Sequence, residues 1–111
     1  MKIITYKTSS DKDPVRKFIQ SLDKKVRAKV LGCLKKVELY GVNSTYANFR
    51  QIKGKLWEIK IKISEGGYRL FYFMLDRDLM ILLHVYKKES QKAPQKELKI
   101  AFKRMYEVLN E

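Results

Sequence analysis

Arg69 interrupts the most apolar stretch of the chain, Gly66-Gly67-Tyr68-Arg69-Leu70-Phe71-Tyr72. A guanidinium in the middle of a strand needs a counterion or a water-filled cleft, because an unpaired buried charge is costly. Its planar fork also matches the geometry of a phosphate. Glu58, on the strand before it, is the structural counterion, and spacing leaves phosphate binding and ion pairing equally open. Glu58, Lys60 and Lys62 alternate along Leu56-Trp57-Glu58-Ile59-Lys60-Ile61-Lys62-Ile63. Alternate residues of a strand lie about 7 Å apart, close to the spacing of successive phosphates in a nucleic acid. The row is either a track for a phosphate backbone or a solvated sheet face whose charges salt screens. Tyr86, Lys87, Lys88 and Lys92 cluster between a strand end and the helix opened by Pro94, as an anion pocket or a basic loop. His84 is the one side chain whose unperturbed charge changes near neutral pH. It could act as a general base, but in an apolar strand it also reads as a core residue. Tyr68, Phe71, Tyr72 and Tyr86 could stack on bases or fill the core, and Cys33, between Leu31 and Leu34, reads as core filler.

The elements that must position these groups follow from periodicity. Lys2 to Thr8 reads as a short strand rich in β-branched residues. Asp13-Pro14 is a helix start, with an N-cap oxygen and a proline at the first helical position. Val15, Phe18, Ile19 and Leu22 follow at helical spacing. Asp23 caps a second helix that buries Val26, Val30, Leu34 and Val37 and stops near Gly41. From Gly41 to Gly54 the periodicity disappears, and the segment reads as a loop. Leu56 to Ile63 alternates as a half-buried strand, with Trp57, Ile59, Ile61 and Ile63 on one face. Glu65-Gly66-Gly67 reads as a hairpin turn. Tyr68 to Leu75 reads as a central strand, Asp76-Arg77-Asp78 as a turn, and Leu79 to Tyr86 as the next strand. A last helix after Pro94 carries the stripe Leu98, Ala101, Phe102, Met105, Val108 and Leu109. The expectation is a single α+β domain over residues 1–111, ordered β-α-α-β-β-β-α. Its twisted antiparallel sheet would pack against helices on one face.

Composition narrows the function. The chain has 111 residues, with 25 Lys and Arg against 12 Asp and Glu, a net charge of +13. So basic a surface is most simply explained by a polyanionic partner. One cysteine cannot form an internal disulfide, and one histidine with one cysteine cannot build a structural zinc site. The glycines match neither G-x-G-x-x-G nor the P-loop. The N-terminus lacks a signal-peptide stretch and no apolar run reaches bilayer length, so the expected setting is soluble and cytoplasmic, without a membrane.

The residues also carry a resemblance. Lys53-Gly54-Lys55-Leu56-Trp57-Glu58-Ile59-Lys60, Gly67-Tyr68-Arg69-Leu70-Phe71-Tyr72, Leu82-Leu83-His84-Val85-Tyr86-Lys87-Lys88 and Gln91-Lys92-Ala93-Pro94 follow one another in order. This series resembles the RelE/HigB toxin superfamily, and within it the phage-derived HigB-like branch of type II toxin–antitoxin systems. The resemblance covers the whole chain and implies a RelE-like fold. It implies a ribosome-dependent mRNA endoribonuclease held in check by a cognate antitoxin, a small helix-turn-helix protein. The implied reaction uses no metal or other cofactor: the RNA's own 2′-hydroxyl attacks the adjacent phosphate. A base, cations for the transition state and an acid for the leaving oxygen are required.

Carried over by motif, Arg69 would contact the scissile phosphate, and Lys60 would be the base or an electrostatic stabiliser. Lys88, with Lys87 as its competitor, would stabilise charge or protonate the leaving oxygen. The acid stays open among Tyr86, Lys92 and His84. Lys53, Lys62, Lys92 and Tyr68 would bind RNA. Glu58 stands where some RelE toxins have a further lysine. Two other readings use the same residues: a ParE-like toxin acting on DNA gyrase, since fold alone does not fix function, and a non-catalytic nucleic-acid-binding module with strongly salt-dependent affinity.

Overall fold

The computed structural model describes residues 1–42, 47–63, 66–89 and 93–111. Glu65 of the expected hairpin turn and Lys92 of the expected anion pocket lie outside the described residues. The elements are β1 (Lys2–Thr5), α1 (Pro14–Ser21), α2 (Lys24–Tyr40), β2 (Asn48–Lys53), β3 (Leu56–Ile63), β4 (Gly66–Asp76), β5 (Leu79–Lys88) and α3 (Gln95–Leu109). The strands form one five-stranded sheet in the order β1-β5-β4-β3-β2. β1 runs parallel to β5, and the other neighbours are antiparallel. The class is α+β, as the periodicity predicts.

The helix starts are those that the capping residues specify. The Asp13 carboxylate accepts from the Arg16 amide at 3.0 Å and from the Thr5 hydroxyl, fastening the end of β1 to the start of α1. Asp23 accepts from the Lys25 and Val26 amides at 2.8 and 3.4 Å. Each bond satisfies a backbone donor that the first turn leaves orphaned. At the far end of α2, Gly41 takes a positive φ of 81° while its amide donates to the Val37 carbonyl.

Strand alternation divides the interior into two cores. Tyr68, Leu70, Tyr72, Ile59, Ile61, Met80 and Leu82 face α1 and α2 and bury Val15, Ile19, Val30, Leu34 and Val37. Phe71, Phe73, Ile81, Leu83 and Tyr86 point the other way, onto Ala101 and Met105 of α3. The expectation of helices on one face is therefore corrected: the hairpin and α3 cover opposite faces. Burying such side chains stabilises by about 1.5–3 kcal/mol each, which explains why β4 and β5 are apolar at nearly every position.

β2 is the second correction, since residues 41–54 read as a loop. Only Phe49 and Ile52 are apolar in Asn48–Lys53, and their odd separation hides the alternation. Phe49 packs on the hairpin side, its ring edge-on to Tyr72 at 6.2 Å, whereas Ile52 packs on the α3 side. The remaining residues of this edge strand are exposed, and its register slips between Gln51 and Lys53.

Candidate functional site

β3, β4 and β5 bring one side chain each to the same place. Lys60 lies opposite Arg69, and Arg69 opposite Tyr86. One pair further on, Lys62 and Lys88 flank Gly67. All these groups stand on the α3 side of the sheet, but the core formed with α3 ends at Tyr86. Past that point the face opens into a hollow of about 580 Å³ lined by Lys62, Ile63, Gly66, Gly67, Arg69, Lys88 and Glu89.

Two glycines shape the rim. Gly66 adopts a φ of 128°, which L side chains rarely do. A Cβ on Gly67 would sit 2.8 Å from the Ile61 carbonyl oxygen and 3.5 Å from Nη1 of Arg69. Position 67 must therefore lack a side chain for β3 to approach so closely, and the guanidinium of Arg69 lies beside the same point.

Arg69 is 8% exposed. Its Nε lies 3.7 Å from Oε1 of Glu58, and the same oxygen is 3.3 Å from Nη2 of Arg50 on β2. Glu58 is completely buried, and neither carboxylate oxygen accepts a hydrogen bond among the described residues. Among the described residues the Arg69 guanidinium donates only to the Tyr68 carbonyl, at 3.4 Å. Of the two readings of Arg69, the ion pair with Glu58 is present. Glu58 neutralises the guanidinium within the sheet, while most of its fork of donors has no partner among the described residues. Glu58 is a buried counterion rather than a member of a solvated row.

The electrostatics differ from group to group. Lys88 loses hydration, and Arg69 and Lys60 oppose its charge, so its pKa falls below the ordinary lysine value. The Tyr86 phenol is pushed up to about 12 by burial, with the Glu58 charge adding to the effect. It stays protonated at neutral pH and can donate but not accept a proton.

Other sequence-predicted residues fall elsewhere. Lys87 lies opposite Tyr68 and points to the hairpin side, away from Arg69. Tyr68 is buried there, edge-on to Phe18 at 6.2 Å, and presents no face for stacking. Lys53 is exposed at the end of β2, paired with Leu56. His84 is committed to α3: Nε2 is 2.9 Å from Oε1 of Glu97, and Nδ1 is 3.4 Å from Nη1 of Arg104. Burial lowers its pKa, against the opposing pull of Glu97. Arg104 also donates to the Leu83 carbonyl at 2.9 Å and stands over the Tyr6 ring, whose hydroxyl donates to Glu107. This network straps α3 to β5 and to Tyr6, just past the end of β1. Sequence reasoning missed Arg50 because β2 carries no visible period, and missed the close approach at Gly67 because a glycine pair reads first as a turn.

Among the described residues no helix is long and apolar enough to cross a membrane. No curated protein matches the chain. Residues 17–106 match the family described as Phage derived protein Gp49-like (DUF891), and they include every element that builds the hollow. With a RelE-compatible sheet and three helices carrying that match, the chain belongs to the phage-derived Gp49-like family, a toxin-like family related to the RelE/HigB type.

Proposed function

We propose that the protein is the toxin of a type II toxin–antitoxin pair and cleaves mRNA on the ribosome, with the Arg69 hollow as its active site. The observation that carries this reading is a buried guanidinium with most of its donors unused among the described residues. It lies at the floor of an open basic hollow, beside a lysine of lowered pKa. The RNA phosphate sits on Arg69 and Lys62, whose charges match the extra negative charge that develops in the transition state. Lys88 or Lys60 takes the proton from the 2′-hydroxyl, Lys88 being favoured by its lowered pKa. The 2′-oxygen forms the new bond to phosphorus, the bond to the 5′-oxygen breaks, and that oxygen takes a proton from Tyr86 or a lysinium. The products are a 2′,3′-cyclic phosphate and a 5′-hydroxyl end. Glu58 holds Arg69 in place, and a cognate antitoxin would silence the site by covering the hollow.

Primer extension on mRNA in a translating extract tests the assignment. The wild type should produce new 5′-hydroxyl ends within ribosome-bound codons, and Arg69→Ala should not. Intact mRNA with wild-type protein present would refute it, and a DNA-damage response in its place would point to a gyrase-directed toxin.

A further inference from the structure

A second hollow, of about 460 Å³, adjoins the first and shares Lys62 with it. One wall is the stripe Lys29, Gly32, Cys33 and Lys36 of α2; the other is the sheet edge where β2 pairing ends at Asn48, with Ile61 facing α2 and Lys60 and Lys62 bordering the hollow from the α3 side of β3. Four lysines and no carboxylate line it among the described residues. An independent observation concerns Gly32. It lies mid-helix, where glycine is unfavourable relative to alanine, and a Cβ there would meet nothing within 4 Å. No packing among the described residues requires this glycine, and its effect is to leave the floor between the lysines open.

We propose that this hollow is a nucleotide subsite for the RNA strand that passes through the Arg69 hollow. Phosphates lie on Lys29, Lys60 and Lys62, and a ribose or base rests on the floor of Gly32, Cys33 and Ile61. The spacing of Lys60 and Lys62 along β3, about 7 Å, matches one backbone step. The shared Lys62 makes the track continuous. The inference rests on the preceding reading for the identity of the strand, but it requires binding alone and no cleavage.

Cys33, the single cysteine of the chain, reports on occupancy directly. The probe is a short single-stranded RNA with 2′-O-methyl groups, which can bind but cannot react. It should slow alkylation of Cys33 at least about fivefold, whereas polyglutamate of equal charge should not. Lys29→Ala should lower the affinity and reduce the salt slope by about 0.7, the value for one single-strand phosphate contact. Gly32→Ala should weaken RNA binding severalfold while its melting temperature stays equal or rises, a combination that loss of folding cannot produce. Unchanged alkylation at saturating RNA, equal protection by polyglutamate, or wild-type affinity in Gly32→Ala would each overturn the subsite. Protection of Cys33 without any mRNA cleavage would leave the subsite standing and remove the nuclease. Cleavage without protection would do the reverse.

Discussion

At the scale of single residues, the site depends on a charge that is not expected to react. Glu58 is fully buried between Arg50 and Arg69, and removing one partner of a buried ion pair leaves the other uncompensated. Glu58→Ala should therefore cost about 3–5 kcal/mol in denaturant unfolding, far more than loss of an exposed pair. His84 yields a pH prediction. Its folded-state pKa is lowered from 6.5 by burial, so the unfolded chain takes up the proton first on acidification. The contribution of His84 is present above 6.5 and is lost as pH falls through that value toward the folded-state pKa. Melting curves between neutrality and mildly acid pH should show this loss, and His84→Gln should flatten that part of the profile. Arg69 was legible in the sequence as a charge out of place, because a guanidinium inside an apolar strand has few physical explanations. The choice between Lys87 and Lys88 was not legible. It depends on which parity of β5 shares a face with Arg69, and Leu82-Leu83 are both buried, so the run carries no alternation to set that parity.

At the scale of elements, the close pairing of β3 with β4 creates the hollow. Gly67→Ala places a methyl against the Ile61 carbonyl, and relief of such crowding typically costs about 1–3 kcal/mol. The substitution should lower stability by that amount in chemical denaturation and reduce cleavage more than the stability loss explains, since Nη1 of Arg69 adjoins the same point. β3, α1 and α2 were legible because their periods are clean and their caps are explicit. β2 was not, because its apolar pair Phe49 and Ile52 faces opposite cores. The placement of α3 across the sheet was also hidden, since an amphipathic stripe says that a face is buried but not which face of the sheet receives it.

At the scale of the whole molecule, the net charge of +13 resolves into distinct parts. Arg69 and Lys88 converge on one hollow, Lys29 and Lys36 line its neighbour, and Lys62 belongs to both. Lys87 and Lys53 stand apart from both hollows. The central claim is that the buried guanidinium of Arg69 stabilises the transition state of RNA cleavage. The most direct measurement is the single-turnover cleavage rate on mRNA-programmed ribosomes for Arg69→Ala against wild type, at equal folded fraction by circular dichroism. Loss of such a charge should slow cleavage at least about 100-fold, the scale found when one preorganised transition-state donor is removed. A rate within about twofold of wild type would contradict the account.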